Sequence, residues 1–481
     1  MEESIVTENK ETLEKYLTGR RPYYTTFPSP GLWLEEFTSE DYQNALREVL
    51  SNKTDHPLQL YIHFPFCRHQ CWYCQCYQII TQDDSTMRKM VEHLCKEIDL
   101  LFSFFQKDSI KPNFTEVHLG GGSPSHMNID AFDYLVDKVK SYIQIDKLHE
   151  FAIEIDPRTV NKEKLRHYHE RGITRISFGV QDVDPLVQKA INRIHPVELI
   201  EDLLQLRHLF TGVNFDLIHG LPKQTRKSLR QSLETIIKLS PDRIAFSILG
   251  HRPDIFKHNQ QIKEEDLPGL IERARMWEES LPFLLDNGYV RIGMDHFAKS
   301  TDELANAQFN KNIYRNLMGY SPGRFEDTIA IGPSGMTRLA NYYFGNVYDM
   351  PAYYDLIDKK TFPILRGFRL SKDQIMRREI MNLIMIYCEV EYSLIEEKYG
   401  INFSKYFSGE IKALDEFSQL DIIEVTGRKI SVKNLGYGYH YLPNLCMIFD
   451  NLGRDYKHNI ETGLNKRKYI RIENKVEGVM R

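Results

Sequence analysis

The sequence has few cysteines, no long apolar run and no strong excess of charge. Seven cysteines among 481 residues are too few for a disulfide framework in a chain of this size. No apolar stretch approaches the roughly 20 residues that span a bilayer. The N-terminal stretch is acidic and lacks the apolar core of a signal peptide. We therefore expect a cytoplasmic protein without a membrane span.

The charge balance argues against a nucleic-acid partner. The chain has 62 basic and 67 acidic residues, which gives a formal net charge of −5. Such a balance provides no general attraction to polyanions. The local basic run near the C-terminus (Lys466, Arg467, Lys468 and Arg471) is interpreted as a solvated chain end. We expect no nucleic acid among the partners.

Short apolar runs alternate with longer amphipathic segments between about residues 57 and 250. The short runs are rich in β-branched and aromatic residues and end in glycine, proline or polar residues, as buried parallel strands do. They cover residues 58–64, 116–122, 150–156, 175–180, 213–220 and 243–249. These six β/α units predict an α/β fold with a partial (β/α)6, TIM-like barrel.

The flanking segments have a different character. Residues 291–298 and 329–336 contain two further apolar-to-glycine turns that could extend or flank the barrel. After Pro363, residues 377–387 predict an amphipathic helix and residues 421–433 predict a β-hairpin. We predict three parts: an N-terminal segment (1–56) that packs on the barrel, a catalytic barrel with its extension (57–362), and a smaller, mostly helical, winged-helix-like C-terminal domain (363–481).

Polar residues collect at the C-terminal ends of the predicted strands, where β/α folds keep their active sites. In chain order they are Cys67, residues 120–123, Glu154 with Asp156, Gln181, Asp216 with His219, and His251. A random distribution of surface residues would not place a functional group at six successive strand ends. The active site is therefore predicted at this edge of the barrel.

Four of the seven cysteines lie within ten residues, which indicates metal binding or redox chemistry. Cys67, Cys71 and Cys74 form a C-x3-C-x2-C motif that can wrap one loop around an iron–sulfur cluster. Three thiolate ligands leave one iron of a [4Fe–4S] cluster open for a further ligand. Zinc is an alternative, with Cys76 or His69 as fourth ligand, although no second pair of ligands is present.

A C-x3-C-x2-C motif that follows a strand is typical of radical S-adenosylmethionine (SAM) enzymes. Their open iron binds the amino and carboxylate groups of SAM, and the glycine run at 120–122 would let the backbone approach that end of the cofactor. We therefore predict a [4Fe–4S] cluster and SAM as cofactors. The isolated cysteines, Cys95, Cys388 and Cys446, lie in apolar helical patterns and are predicted to be buried hydrophobic residues.

Longer motifs carry a closer resemblance. Cys76 extends the cysteine motif to C-x3-C-x2-C-x-C, and the further segments are EIDPR (154–158), SFGVQD (177–182), NFDLIHGLPKQT (214–225), GMDHFA (293–298) and YLPNLCMIFD (441–450). Together they resemble the oxygen-independent coproporphyrinogen III dehydrogenase (oxidase) family from Tyr23 to about Asp450. The resemblance implies a radical SAM barrel that converts two propionate side chains of coproporphyrinogen III into vinyl groups by means of a 5′-deoxyadenosyl radical. The product would be protoporphyrinogen IX.

The resemblance also implies roles for individual residues. Two SAM molecules would bind beside a cluster held by Cys67, Cys71 and Cys74. The cluster-bound SAM would contact Tyr61, Gly121, Glu154 and Met336. The second SAM would contact Tyr73, Gly122, Ser123, Gln181, Arg193, Asp216 and Gly250. Cys76 and Tyr61 would be catalytic, with Cys76 near the substrate. A porphyrinogen substrate, an electron donor and an electron acceptor are the implied partners of a monomeric enzyme.

The sequence departs from the family pattern at two places. The sixth strand ends in Ile248-Leu249-Gly250-His251 in place of aromatic–Ala–His, and Leu317-Met318 replaces Phe–Gln before Gly319. The resemblance implies that both places would border the second SAM site. Two alternatives stay open: a radical SAM methyltransferase of anaerobic heme degradation, and a heme chaperone of the same superfamily. The fourth cysteine and the N-terminal Tyr-Thr-x-x-Pro segment argue against the chaperone.

Overall fold

The structure is a computed structural model that describes residues 15–16, 24–51, 55–323, 326–433 and 435–452. Its main feature is a twelve-stranded mixed sheet with the strand order β16-β15-β14-β13-β1-β4-β5-β6-β7-β8-β10-β9. The strands are β1 (Pro57–Phe64), β2 (Phe66–Cys67), β3 (Ile79–Ile80), β4 (Asn113–Gly121), β5 (Glu150–Ile155), β6 (Arg175–Gln181), β7 (Gly212–His219), β8 (Arg243–Ile248), β9 (Tyr289–Ile292), β10 (His296–Lys299), β11 (Tyr314–Asn316), β12 (Gly319–Ser321), β13 (Asp327–Ile331), β14 (Met336–Leu339), β15 (Tyr342–Asn346), β16 (Ile364–Arg369), β17 (Glu389–Glu391), β18 (Ile423–Val425) and β19 (Lys429–Val432).

The α-helices of the described residues cover both the crossovers of the barrel and the C-terminal region. They are α1 (Ser39–Leu50), α2 (Asp84–Lys107), α3 (Ile129–Lys140), α4 (Lys162–Glu170), α5 (Pro185–Ala190), α6 (Val197–Leu204), α7 (Arg226–Leu239), α8 (Leu270–Asp286), α9 (Glu303–Phe309), α10 (Met350–Asp358), α11 (Lys372–Tyr387), α12 (Tyr392–Tyr399), α13 (Phe403–Tyr406), α14 (Ser408–Ala413), α15 (Asp415–Gln419), α16 (Leu435–Gly438) and α17 (Leu442–Phe449).

Seven neighbouring strands of the sheet, from β13 through β1 and β4 to β8, are parallel. All six strands predicted from apolar runs are among them, and helices connect each to the next. β1 is buried along nearly its whole length, as expected for a strand covered on both faces. The prediction of an α/β fold with six β/α units is therefore confirmed.

Antiparallel strands extend this parallel core at both edges. The predicted turn at 291–298 joins β9 and β10, which continue the sheet beyond β8. The predicted turn at 329–336 joins β13 and β14, and β15 and β16 follow on the same side. Of the two alternatives left open by the sequence, both segments thus extend the sheet.

The crossover helices begin where the local sequence supplies capping groups. The Asp83 side chain accepts hydrogen bonds from the backbone amides of Ser85 and Thr86 at the start of α2. Thr38 and Asp41 form a capping box at the start of α1. The apolar face of α2, including Leu94 and Ile98, is fully buried against the sheet and its neighbours. None of the described helices has the length and apolar content needed to cross a membrane.

The C-terminal region is largely helical. The predicted helix at 377–387 forms the second part of α11, and the predicted hairpin at 421–433 forms β18 and β19. β16 follows Pro363 directly and is the edge strand of the main sheet. The division of the chain into three parts stays a prediction. Residues 1–14 and 17–23 and the basic run at 466–471 lie outside the described residues.

Candidate active site

The four clustered cysteines lie in the loop that follows β1, at the C-terminal edge of the parallel strands. Cys67 ends β2, which pairs with β3 on the return of the loop. Cys71 is buried, Cys67 and Cys74 are partly buried, and Cys76 is exposed. The three predicted cluster ligands are therefore more enclosed than the fourth cysteine.

Side chains from distant parts of the chain hold this cysteine loop in place. Each donates a hydrogen bond to a loop carbonyl: Asn192 Nδ2 to Gln70 O (2.7 Å), His258 Nε2 to Cys74 O (2.6 Å) and Asn259 Nδ2 to Trp72 O (2.6 Å). The backbone amide of Trp72 also donates to the carbonyl of Ile191 at 3.0 Å. These three residues belong to no motif in the sequence and are 122 to 187 positions away from the carbonyls that they bind.

Two arginines converge on the sulfur of Cys71. Arg193 Nη1 lies 3.4 Å from Cys71 Sγ, and Arg158 Nη2 lies 3.7 Å from it. Both guanidiniums also contact the carboxylate of Asp156. Although burial raises the pKa of Asp156, the Arg193 and Arg158 guanidiniums hold that pKa below its usual range. Asp156 also caps the turn that begins at Pro157, because its side chain accepts a hydrogen bond from the amide of Arg158. Arg158 belongs to the EIDPR motif, and its contact with Cys71 is evident only from the structure.

The thiols of Cys67, Cys74 and Cys76 are close enough to shift one another's pKa values. The hydrogen bond between Cys74 and Cys76 lowers the pKa of the Cys74 thiol and raises that of Cys76. Burial raises the pKa of Cys67, and the neighbouring Cys74 and Cys71 raise it further. The three predicted ligands are thus within electrostatic reach of one another. Positive charge nearby favours thiolates, which are the form that binds iron.

The residues present fit an iron–sulfur cluster. Among the described residues, no three His, Cys, Asp or Glu side chains converge closely enough to bind one metal ion. A [4Fe–4S] cluster does not need such convergence, because each thiolate binds a different iron. Cys67, Cys71 and Cys74 lie in one loop, and the Arg193 guanidinium is within electrostatic reach of all three. They would hold three irons and leave the fourth open.

Tyr61 and His63 form a hydrogen-bonded pair in β1. His63 Nε2 donates to the carbonyl of Tyr77 at 3.0 Å, so Nδ1 accepts the hydroxyl proton of Tyr61 at 3.1 Å. Burial lowers the pKa of His63 and, with the charge of Glu154, raises the pKa of Tyr61 well above its usual value. Both groups are therefore neutral, and Tyr61 has a fixed orientation near Glu154.

Glu154 links the glycine run to the barrel interior. Its carboxylate accepts hydrogen bonds from the backbone amide of Gly121 (3.2 Å) and from His118 Nε2 (3.1 Å). A Cβ atom on Gly120 would lie 2.7 Å from Glu154 Oε1. Gly121 has φ +112°, and a Cβ atom there would lie 2.7 Å from the His63 ring. These glycines are thus required for the packing of the site itself, in addition to any approach of a cofactor.

The next residues of the run tie the cysteine loop to β4. The amide of Gly122 donates to the carbonyl of Phe64 (2.8 Å), and the amide of Ser123 donates to the carbonyl of Phe66 (2.9 Å). The Ser123 hydroxyl lies 3.1 Å from the Ser125 hydroxyl. Gly122 and Ser123 are therefore placed directly beneath the start of the loop.

The residues predicted to bind the second SAM lie at several places around the cysteine loop. Tyr73 and Arg193 lie together beside Cys71, and each residue affects the pKa of the other. Arg193 donates through Nε and Nη2 to the carbonyl of Gly179, at 2.8 and 2.6 Å. Gln181, with φ +68°, ends the same strand, β6. On the other side of the loop, the carbonyl of Gly250 accepts a hydrogen bond from Gln75 Nε2 at 2.5 Å.

Asp216 lies deeper, in a cavity of about 150 Å³ inside the barrel. The cavity is strongly polar, and Glu154 and His118 also line it. Asn214 donates to Asp216 Oδ1 at 2.8 Å. Burial and the nearby Glu154 carboxylate nevertheless raise the pKa of Asp216 to about 6. A carboxylate held in this way is a strong acceptor for a cationic or hydroxyl group.

The two departures from the family pattern occupy different places. Met318 lines the barrel cavity, together with Tyr320. Leu249 is buried in a small apolar cluster with Val187 and Ile191, against which Tyr73 packs. Met336 begins β14, two strands away from β1 in the sheet. The structure thus brings most of the predicted residues to one edge of the barrel, with Met336 on its flank.

His219, His251 and the three isolated cysteines make contacts within the protein. His219 is fully buried between Phe246 and Trp277, and burial lowers its pKa to about 3. His251 Nε2 donates to the carbonyl of Asn259 at 3.1 Å and so stabilises the segment that holds the cysteine loop. Cys95, Cys388 and Cys446 are at most 5% exposed, which confirms that they are buried residues.

Comparison with known proteins agrees with this geometry. Residues 61–236 match the radical SAM superfamily. The oxygen-independent coproporphyrinogen III oxidase of Helicobacter pylori is 33% identical over 434 residues, covering 89% of this chain and 93% of that protein. The Escherichia coli enzyme of the same name is 32% identical over 431 residues, covering 89% and 92%. The chain belongs to the oxygen-independent coproporphyrinogen III oxidase family.

A solved structure supports the assignment to this family. The coproporphyrinogen III oxidase of Escherichia coli, described as a radical SAM enzyme, superposes with a TM-score of 0.82 at 32% identity. The match covers 89% of this chain and 97% of that one. As a member of this family, the chain is a radical SAM oxidoreductase with a [4Fe–4S] cluster and SAM as cofactors. The methyltransferase and chaperone alternatives are not favoured by these comparisons.

Proposed function

We propose that this enzyme decarboxylates two propionate side chains of coproporphyrinogen III oxidatively, without oxygen, and yields protoporphyrinogen IX. The observation that carries the proposal is family membership over nearly nine-tenths of the chain, together with the cysteine loop at the mouth of the barrel. When bound, the cluster and SAM supply the radical that removes a hydrogen atom from the propionate side chain. The protein residues bind and orient the reactants.

The contacts described above support specific roles in cofactor binding. Glu154 and Tyr61 would bind the cluster-associated SAM, since Glu154 is held by Gly121 and Tyr61 is fixed by His63. Asp216 would accept hydrogen bonds from a second SAM inside the barrel. Arg193, which lies next to Cys71, would bind the second SAM from the side opposite to Asp216. We include as further SAM-binding residues Tyr73, Gly121, Gly122, Ser123, Gln181, Gly250 and Met336.

Cys76 has a role distinct from that of the cluster ligands in this proposal. It is exposed at the open side of the loop, whereas Cys71 is buried beneath it. The hydrogen bond with Cys74 raises the pKa of its thiol. The exposed thiol of Cys76 would act on the porphyrinogen, while Cys67, Cys71 and Cys74 would hold the cluster.

The reaction requires further partners. An electron donor must reduce the cluster, and an electron acceptor must take the electron that is left after carbon dioxide departs. We include in the proposal two bound SAM molecules, a cytoplasmic location and a monomeric enzyme.

An anaerobic turnover assay tests the proposed function. The reconstituted enzyme is incubated with SAM, a reductant and coproporphyrinogen III, and the products are separated chromatographically. We expect carbon dioxide and protoporphyrinogen IX from the wild type and none from Cys76→Ala. Cys95→Ala is the matched control, because Cys95 is buried far from the loop in sequence, in α2. A parallel reaction is supplied with heme in place of coproporphyrinogen III. Methylated, ring-opened heme there, or stable heme binding with no turnover of coproporphyrinogen III, would contradict the proposal.

A further inference from the structure

Arg273, in the first turn of α8, is a partly buried arginine whose guanidinium has no acceptor among the described residues. Its Nε is enclosed and makes no hydrogen bond, whereas the side chain as a whole keeps some contact with solvent. A buried charge costs free energy unless it is paired or hydrogen-bonded. The guanidinium of Arg273 is therefore a candidate receptor for an anion.

Arg273 lies at the mouth of the barrel, over the end of β7. The carbonyl of Asp266, just before α8, accepts a hydrogen bond from the amide of Lys223, just after β7 (2.7 Å). Helical side chains lean toward the N-terminus of their helix, which here directs Arg273 to the mouth. A Cβ atom on Gly220 would lie 3.0 Å from Arg273 Cδ. The glycine after β7 thus leaves room for the arginine to cross the strand end.

The same corner of the mouth contacts the cysteine loop. Leu249 Cβ lies 3.9 Å from the point that a Cβ atom on the glycine after β7 would occupy. The next carbonyl, that of Gly250, accepts a hydrogen bond from Gln75 Nε2 at 2.5 Å. Gln75 directly precedes Cys76, which is exposed. Arg273 therefore lies on the side of the mouth at which Cys76 faces solvent.

Other cations around this corner already have carboxylate partners. They are Arg193 and Arg158 with Asp156, Lys223 with Asp266, Arg252 with Asp254, and Arg226 with Glu272 and Glu279. Burial lowers the pKa of Arg273, and no carboxylate offsets this shift, including the exposed Glu264 and Glu265 that precede α8. Arg273 thus differs from its neighbours because its positive charge is not neutralised within the fold.

We propose that Arg273 binds a propionate carboxylate of the porphyrinogen, other than the one that is being converted. The planar guanidinium can bind both oxygens of one carboxylate, which fixes the direction of that side chain as well as its position. A substrate held in this way presents a different propionate to the radical. Arg273 is then a specificity-determining residue, because it selects substrates that carry a second carboxylate at this distance. The inference rests on the proposed function, which supplies the substrate.

Arg273→Gln tests this inference in the anaerobic turnover assay. We expect KM for coproporphyrinogen III to rise roughly tenfold or more, since a hydrogen bond between charged groups contributes about one to two powers of ten in affinity. The kcat should stay near the wild-type value, because the contact is made equally before and during the reaction. Arg273→Lys keeps the charge but not the planar fork and should have an intermediate KM. The matched control is Arg226→Gln, which removes a guanidinium that already has carboxylate partners and should keep the wild-type KM.

A binding measurement tests the contact without turnover. Coproporphyrin III, the oxidised and unreactive form of the substrate, and its methyl ester are titrated against the reconstituted enzyme by fluorescence. The wild type should bind the acid more tightly than the ester, because the ester has no charged carboxylate. Arg273→Gln should reduce this preference roughly tenfold or more, the contribution of one hydrogen bond between charged groups. Arg226→Gln should keep the wild-type preference.

The stability of the variant separates a substrate contact from a structural role. Arg273→Gln removes a partly buried charge that has no partner in the described fold, so its resistance to denaturant should be equal to or higher than that of the wild type. Lower resistance with unchanged KM would overturn the inference, and so would an unchanged KM together with an unchanged preference for the acid. The proposed function can fail separately. In that case coproporphyrinogen III would give no vinyl product, yet Arg273→Gln would still weaken the binding of coproporphyrin III.

Discussion

Arg193 Nη1 lies 3.4 Å from the sulfur of Cys71, so one guanidinium connects the cysteine loop to the interior of the barrel. The same nitrogen is 3.4 Å from Asp156 Oδ2, and the other two nitrogens donate to the carbonyl of Gly179. Arg193 thereby fixes a strand end, a carboxylate and a cluster ligand relative to one another. The cluster site depends on this residue for its shape.

Arg193→Lys should therefore damage the loop even though the charge is kept. A lysine has no planar fork, so the carbonyl of Gly179 loses at least one of its two donors inside the protein. The loss of one hydrogen bond from a charged donor lowers the free energy of unfolding by about 1.5–3 kcal/mol. We expect a lower melting temperature and less iron per chain after reconstitution. Arg230→Lys, an exposed position on α7, is the control and should match the wild type in both measurements.

The cysteines should separate into two classes on substitution. Cys67→Ala, Cys71→Ala or Cys74→Ala should abolish the visible absorbance of the reconstituted cluster, because each removes one iron ligand. Cys76→Ala should keep that absorbance and lose turnover. Absorbance spectra and iron content decide between the classes, with Cys446→Ala as a buried control. If Cys76→Ala also removed the iron, the separation between ligands and Cys76 would be wrong.

The sequence predicts those parts of the fold and site that depend on local patterns. The six parallel strands are evident because each is a continuous apolar run that is buried on both faces, and the cluster ligands share one short motif. By contrast, His258 and Asn259 are isolated polar residues whose role depends on contacts with a loop more than 180 positions away. The edge strands β15 and β16 were not predicted either, since their pairing depends on tertiary contacts.

Glu97 illustrates another feature that the sequence conceals. It lies among the apolar positions of α2 and is only 2% exposed. Its carboxyl group accepts hydrogen bonds from the amide of Gly332 (2.8 Å), Asn346 Nδ2 (3.1 Å) and the Tyr353 hydroxyl (2.5 Å). A Cβ atom on Gly332 would lie 2.5 Å from the carbonyl oxygen of His63, so Glu97 fixes the turn that packs on the end of β1.

The stability of the enzyme should depend on pH through Glu97. Burial raises the pKa of Glu97 from 4.5 to about 7, so its contribution to stability is fully present below pH 4.5 and is lost as the pH rises through 7. The loss amounts to about 3 kcal/mol in the free energy of unfolding. Glu97→Gln cannot ionise and should remove this part of the pH dependence. Denaturant unfolding at pH 5 and pH 8 measures it, and identical pH slopes in wild type and variant would contradict the assignment.

Asp216 should make the affinity for SAM increase with pH, whereas the stability provided by Glu97 decreases with pH. Its pKa, raised to about 6 by burial and by Glu154, means that the carboxyl group is neutral below pH 6 and ionised above it. The ionised form is the stronger acceptor, so the affinity for SAM should rise as the pH increases through 6. Asp216→Asn should weaken binding at pH 8 by roughly 1.5–3 kcal/mol, the usual contribution of a hydrogen bond to a charged group, and should flatten the pH profile.

Equilibrium dialysis with labelled SAM at pH 5, 6 and 8 measures this effect. Asp146→Asn, an exposed position before β5, is the control and should keep the wild-type profile. A measurement of stability separates a SAM contact from a purely structural role. A raised pKa means that the charged form of Asp216 is less stable in the folded protein. If Asp216 binds SAM, Asp216→Asn should therefore increase the resistance to denaturant at pH 8 and also weaken SAM binding. Increased stability with unchanged SAM affinity would show that Asp216 does not contact the cofactor.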